Sequence, residues 1–168
     1  LLELIAMLLS LAYVLLAAMS EHGLVLPEFS EEAGIEITKA VLPVLKAKLG
    51  EGYTALDLSL SPVSNVLFGS NMTGKTTVLK TLYFLTTLVH YGLPVPVDQM
   101  ILRPPTGVFL YLRSSGDLRE SLSSLGDELK FWSSEFPDGA YILVDELFQS
   151  VEPVSGAALA GLILNHFK

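Results

Sequence analysis

Nine consecutive residues near the middle of the chain have the types and the spacing that bind phosphate. Two glycines separated by four residues precede a lysine and a threonine, which satisfies the P-loop (Walker A) pattern G-x-x-x-x-G-K-[ST] in full. Glycines let the backbone turn so that N–H groups point at phosphate oxygens, and a helix that begins there adds further unpaired N–H groups. The predicted nucleotide-binding residues are Gly69, Ser70, Asn71, Met72, Thr73, Gly74, Lys75, Thr76 and Thr77.

Two side chains of this segment are expected to act on the bound nucleotide. Lys75 is predicted to reach the β- and γ-phosphates of ATP, and the hydroxyl of Thr76 to ligate Mg²⁺. The segment lies between an apolar run at residues 65–68, typical of a buried strand, and a helical pattern that starts at Lys75. That is the context a phosphate-binding loop requires. A glycine turn that merely joins a strand to a helix is the alternative.

An acidic pair follows a second apolar run, at residues 140–144. Asp145 comes seventy residues after Lys75, and Glu146 comes next. In P-loop enzymes an Asp at the carboxyl end of a neighbouring strand holds Mg²⁺, directly or through water. The following carboxylate can then orient and deprotonate the attacking water. We predict that Asp145 is the metal-side residue and Glu146 the catalytic base, and an acidic turn without a function is the alternative.

The elements that must position these groups alternate between strands and helices. Such alternation predicts an α/β layered fold, in which helices flank a central and mostly parallel sheet. The predicted strands lie at residues 35–38, 56–60, 65–68, 107–112 and 140–144, and the predicted helices at residues 4–20, 75–91, 122–132 and 153–165.

Composition narrows the class of protein further. The chain has 168 residues, of which 51% are hydrophobic and 17% charged, as expected of one globular domain. Its formal charge is −8 and it has no run of basic residues, so DNA binding by this piece alone is not expected. It has no cysteine, which excludes disulfides and cysteine-ligated zinc and fits a cytoplasmic protein.

The first helix carries no charge between residues 4 and 20. This run falls short of a membrane span with interfacial anchors, and the only early charge is Glu3, so a signal peptide is not expected either. We expect a helix that is buried against the domain or against other parts of a parent protein. Because the sequence begins with Leu, we expect it to be a piece of a longer chain. Residues 1–30 are predicted to be a helix and connector from a preceding domain, and residues 31–168 a C-terminally truncated ATPase domain.

Taken in order, the motifs resemble the ATPase domain of the MutS family of DNA mismatch-repair proteins, a branch of the ABC ATPases. The loop looks like the family's Gly-Pro-Asn-Met-x-Gly-Lys-Ser-Thr, and the Asn71-Met72 pair marks this branch. Residues 123–129 are similar to the signature Ser-Thr-Phe-x-x-Glu-Met. Residues 145–147, followed by 156–160, resemble the Asp-Glu-Leu/Ile … Gly-x-x-Leu-Ala segment.

The resemblance implies a P-loop NTPase fold of the ABC type and a Mg²⁺-dependent ATPase that acts as a homo- or heterodimer with composite sites. Ser123 would contact the γ-phosphate bound on the partner, with Glu128 in the same segment acting in trans. Tyr53 would stack on adenine. DNA would be bound through other domains of the parent, no membrane would be involved, and the protein would be cytoplasmic and nucleoid-associated, or nuclear in a eukaryote.

Departures from the family pattern leave other interpretations open. Residues 148–151 are Phe-Gln-Ser-Val where the family has Gly-Arg-Gly-Thr, and the position of the family's switch histidine is not matched by His166. A nucleotide-gated binding module with little turnover is therefore a second hypothesis. Another ABC-type chromosome-maintenance ATPase is a third, against which the Asn71-Met72 pair argues.

Overall fold

The computed structural model describes residues 2–70, 73–112, 121–148 and 150–167, with the backbone alone for residues 121–124. It is a mixed α/β protein, so the predicted fold class is confirmed at that level. The helices are α1 (Leu2–His22), α2 (Pro43–Leu49), α3 (Lys75–His90), α4 (Ser121–Trp132) and α5 (Pro153–His166), with a 3₁₀ turn at Gly50–Gly52. The strands are β1 (Glu28–Phe29), β2 (Ile35–Ala40), β3 (Leu56–Leu60), β4 (Gln99–Leu102), β5 (Val108–Tyr111) and β6 (Tyr141–Val144).

Four of the strands form a mixed sheet in the order β1-β4-β2-β3. Strand β2 pairs antiparallel with both β3 and β4, and β1 pairs parallel with β4. Alternation along β2 buries Ile35 and Ile37 on one face. A register shift between Ile37 and Ala40 then turns Ala40 inward as well, because the extra residue changes which side faces the core.

The other two strands form a separate parallel pair. Strand β5 runs beside β6 in register from Val108↔Tyr141 to Tyr111↔Val144. The described part of the chain thus contains a four-stranded and a two-stranded sheet, and one central, mostly parallel sheet stays a prediction.

The apolar run at residues 65–68 differs from its prediction. It was predicted as a central strand, but it is unpaired, and Phe68 is 88% exposed. The side-chain amide of Asn65 donates hydrogen bonds to the carbonyl oxygens of Ser61 and Val63, at 2.9 and 2.6 Å. Local side-chain bonds of this kind offer the backbone an alternative to strand pairing, and an apolar run alone cannot reveal that competition.

Helix α3 joins the two sheets through one hydrophobic core. The helix has no glycine or proline, and its apolar residues recur at helical spacing, so that Leu82, Leu85 and Val89 are buried on one face. Helix α3 also contacts β5 and β6. The shared core consists of Ile35, Ile37, Ala40, Leu82, Leu85, Val89, Val95, Val97, Met100, Leu102 and Leu143.

Helix α1 is not covered by the rest of the described chain. None of its 21 residues is buried, which is contrary to the expectation that it packs on this domain. By length and composition it is apolar enough to cross a membrane, a test that buried helices of soluble proteins and signal sequences also pass. Coverage by parts of a parent protein stays a prediction, and so does the division of the chain at residue 30.

Candidate functional site

The loop of residues 69–76, called here the phosphate loop, needs glycine at two positions. Gly74 has a φ of +92°, in the left-handed region that side chains disfavour, and Lys75 begins α3 immediately after it. A Cβ atom at Gly69 would lie 2.8 Å from the hydroxyl oxygen of Thr73. That hydroxyl donates to the carbonyl oxygen of Ser70 at 2.8 Å. Asn71 and Met72, which were predicted to bind nucleotide, lie outside the described residues.

The ammonium group of Lys75 closes the phosphate loop from within. Its Nζ donates to the carbonyl oxygens of Gly69 and Ser70, both at 2.8 Å. The lysine thus folds back over the loop that precedes its own helix. Phosphate oxygens carry negative charge, so they would compete with these neutral carbonyl groups for the same cation. Thr77, also predicted to bind nucleotide, lies half-buried in the first turn of α3.

Thr76 and Asp145 come together although 69 residues separate them. The Thr76 hydroxyl donates to Oδ2 of Asp145 at 2.5 Å. Asp145 directly follows β6, and its N–H donates to the carbonyl oxygen of Tyr111 at 3.0 Å, which extends the β5–β6 pairing to the site. This contact joins the phosphate loop to the end of β6, and the metal-side roles of Thr76 and Asp145 stay predictions.

The Thr76 hydroxyl and the Asp145 carboxylate both fit Mg²⁺, which takes oxygen ligands. Within the described ranges no group of three or more histidine, aspartate or glutamate side chains could hold a metal ion. Mg²⁺ usually takes one or two protein ligands and completes its shell with water and substrate phosphates. Thr76 and Asp145 would be the two residues to hold it.

The loop of residues 145–148, called here the acidic loop, has an unusual backbone. Glu146 has a φ of +59° and Phe148 a φ of +50°, and neither is a glycine. The left-handed region is disfavoured for such residues, so the surrounding structure must hold them there. The Glu146 side chain is exposed next to Asp145, whereas Phe148 is only 3% exposed.

The two residues predicted from the signature segment both lie on α4. Glu128 is 3% exposed, and its Oε1 accepts a 2.8 Å hydrogen bond from the N–H of Phe148 in the same chain. Ser123 lies in the first turn of α4, and its side chain is outside the described part of the structure. Action of either residue on a partner's nucleotide stays a prediction.

Tyr53 lies just after the 3₁₀ turn and is half-buried. Its hydroxyl accepts a hydrogen bond from the N–H of Leu42 at 2.9 Å and donates to the carbonyl oxygen of Ala40 at 3.4 Å. The hydroxyl therefore ties the end of β2 to the start of α2. Stacking on adenine would use the ring face instead, and it stays a prediction.

Two residues that support the acidic loop were missed as supports by the reasoning from sequence. Glu128 occupies the apolar face of α4, spaced three residues from Leu125 and four from Trp132, and an acid at such a position signals a buried partner. Gly156 is buried inside α5, and a Cβ atom there would lie 3.0 Å from the carbonyl oxygen of Phe148. An interior helix glycine signals this kind of close approach.

The helix that carries Gly156 begins with a side-chain cap. The Glu152 carboxylate accepts hydrogen bonds from the backbone N–H groups of Ser155 and Val154, at 3.0 and 3.1 Å. These bonds lower the pKa of Glu152, the bond from Ser155 most, because they stabilise the charged form. The cap fixes the start of α5 directly behind the acidic loop.

Comparison with curated proteins finds relatives of this chain. No family model matches the chain. The chain is 31% identical over 149 residues to Endonuclease MutS2 of Solidesulfovibrio magneticus, and the match covers 85% of this chain. The chain spans 19% of the length of that protein. It is therefore a distant homologue of a part of a MutS-family protein.

Proposed function

We propose, with distant homology to Endonuclease MutS2 as the premise, that this chain is the ATP-binding and ATP-hydrolysing domain of a MutS-like DNA-maintenance protein. The observation that carries the proposal is the 2.5 Å contact between Thr76 and Asp145. It joins a loop suited to phosphate with a carboxylate at a strand end, which is the arrangement that Mg-nucleotide chemistry requires. The complete domain would have the ABC-type layered P-loop fold.

In this proposal the phosphate loop binds the triphosphate. The backbone N–H groups of the loop and of the first turn of α3 point at the phosphate oxygens. Lys75 exchanges its two carbonyl partners for the β- and γ-phosphates, which carry full negative charge. Thr76 and Asp145 would hold Mg²⁺, which when bound offsets the charge of the phosphates.

Glu146 is the residue we assign to the attacking water. Its carboxylate orients the water and accepts a proton as the water oxygen bonds to the γ-phosphorus. The bond from that phosphorus to the oxygen shared with the β-phosphate breaks, so the products are ADP and phosphate. The exposed position of Glu146 beside Asp145 supports this role.

We extend the proposal to the assembly on the basis of the homology alone. A second protomer would close each site with Ser123, and Tyr53 would stack on adenine. DNA would be bound by other parts of the parent protein, since this chain carries a formal charge of −8 without a basic run. The protein would act in the cytoplasm on the nucleoid, or in the nucleus of a eukaryote.

The test is Mg-ATP binding by calorimetry and phosphate release in the intact protein. We expect Lys75→Ala to lose binding, and Glu146→Gln to keep binding while turnover falls about 100-fold or more. Lys80→Ala, an exposed lysine in the same helix, and Glu135→Gln, an exposed acid elsewhere, are matched controls.

Two results would count against the proposal. If mixing Mg-ATP with the intact wild-type protein released no heat, the assignment of a nucleotide site would be refuted. Binding without turnover in the wild type would favour a nucleotide-gated binding module, which the altered residues 148–151 motivate.

A further inference from the structure

The acidic loop holds a conformation that it would not adopt alone. Glu146 and Phe148 both have left-handed backbones although neither is a glycine. Such backbones persist only where surrounding contacts determine them.

The first contact comes from α4. The carboxylate of Glu128 is buried and accepts a 2.8 Å hydrogen bond from the N–H of Phe148. A buried carboxylate is costly unless polar partners satisfy it, and a bond from N–H to a charged oxygen is stronger than one between neutral groups. Neither ion pair found among the described residues involves Glu128. Its evident partner is the acidic loop.

The second contact comes from the turn before α5 and from α5 itself. The carbonyl oxygen of Phe148 accepts a 3.0 Å hydrogen bond from the N–H of Val151. Gly156 lies so close behind this oxygen that a Cβ atom would be 3.0 Å from it. Both backbone polar groups of Phe148 are thus fixed, and its side chain is buried.

Glu146 lies between Phe148, whose backbone groups are bonded, and Asp145, which is also bonded. On its other side, Asp145 is held by the carbonyl group of Tyr111 and the hydroxyl group of Thr76. The backbone of Glu146 is therefore set from both ends, while its side chain is exposed to solvent. A displacement of about 1 Å at a catalytic group can cost about 100-fold in rate.

We infer that Glu128 is a positioning residue, which acts within its own chain by holding Phe148 and thereby aiming the Glu146 carboxylate. This inference rests on the proposed role of Glu146 as the base. It differs from the expectation that Glu128 contacts a nucleotide on a partner, because the buried carboxylate faces the acidic loop of its own protomer.

The test compares two variants of similar size in the intact protein. Glu128→Gln keeps an oxygen that accepts from Phe148, whereas Glu128→Met fills the space without an acceptor. We expect the Met variant to raise the hydrogen-exchange rate of the Phe148 amide at least tenfold and to lower kcat about tenfold or more. The Kd for Mg-ATP should stay within about twofold in both variants. The exchange rate and kcat of the Gln variant should lie nearer to those of the wild type than to those of the Met variant, because its neutral amide oxygen keeps a weaker bond.

A second route reaches the same loop if the Met variant does not fold. Gly156→Ala pushes on the carbonyl group of Phe148 from α5, and we expect it to lower kcat at unchanged Kd. Gly161→Ala is the matched control, since a Cβ atom there meets nothing within 4 Å.

The outcomes separate this inference from the proposed function. Absence of hydrolysis in the wild type would refute the proposed function, while the exchange rate of Phe148 would still test whether Glu128 holds the loop. Unchanged exchange in Glu128→Met overturns the inference. Faster exchange with unaltered kcat in an active protein also overturns it, because the loop would then not aim Glu146.

Discussion

A hydrogen bond from Thr76 to Asp145 joins the phosphate loop to the acidic loop, yet the two loops are stabilised in different ways. The phosphate loop is closed by its own side chains, since Thr73 and Lys75 bond to carbonyl groups within it. The acidic loop is held from outside, by β5, α4 and the start of α5. A self-contained loop can be read from a short motif, whereas a loop held by distant elements cannot.

The substitution with the largest expected effect removes the contact between the two loops. Thr76→Val removes the hydroxyl that donates to Asp145, at nearly constant volume. We expect ATP turnover to fall about 100-fold or more, because a metal-side ligand is lost. Phosphate release at saturating Mg-ATP is the measurement. Thr76→Ser keeps the hydroxyl and should retain most of the activity; equal turnover in the Val variant and the wild type would contradict the assignment.

A smaller effect tests whether the phosphate loop depends on its own backbone. Gly74→Ala places a side chain at a φ of +92°, which disfavours the native conformation by roughly 1–2 kcal/mol. We expect a lower Tm and about tenfold weaker Mg-ATP binding, measured by thermal unfolding and calorimetry. Hydrogen exchange in the acidic loop should not change. A large change there would show that the two loops are not held independently.

A third prediction concerns the cap of α5, the helix that packs against the acidic loop, and the dependence of its contribution to stability on pH. Glu152→Ala removes the cap of α5, and we expect Tm to fall by a few degrees at neutral pH. The pKa of Glu152 is lowered from 4.5 in the folded state, so its contribution is complete above that value and is lost as pH falls through the folded pKa. The difference in Tm between wild type and variant should therefore shrink below pH 4.5. A difference that is constant with pH would contradict the cap.

The smallest expected effect is an increase in the free energy of unfolding. Gly126 is exposed in α4, two residues before Glu128, and a Cβ atom there meets nothing within 4 Å. We expect Gly126→Ala to raise the free energy of unfolding by about 0.5–1 kcal/mol, since alanine favours helix. Denaturant unfolding measures it, and turnover should be unaltered. Loss of stability would indicate that α4 does not have the helical conformation described.

Reasoning from sequence succeeded where the pattern is local. The P-loop motif predicted the start of α3 at Lys75. Apolar periodicity predicted the rest of α3, and a continuous apolar run predicted β6, each to within two residues at each end. The nearness of Asp145 to Thr76 could also be expected, because a carboxylate after a buried strand next to such a loop has few other places to lie.

It failed where the outcome depends on competition between distant or alternative partners. The run at residues 65–68 has the composition of a strand, but Asn65 bonds to its own neighbours instead. Strand β4 was not predicted at all, since Gln99–Leu102 forms a strand by pairing with β2, which lies about 60 residues earlier in the chain. The contact of Glu128 with Phe148 spans 20 residues, and no spacing rule reaches that far.

The uncovered first helix has a consequence for measurements of assembly. At about 1.5 Å per residue, α1 is a helix roughly 30 Å long with an exposed apolar surface. Exposed apolar surfaces of this size tend to associate in water. Two copies of this polypeptide can therefore dimerise through α1 in the absence of nucleotide. Light scattering that reports a doubled mass would then say nothing about composite sites. Only a doubling that appears with Mg-ATP and disappears in Lys75→Ala would report on them.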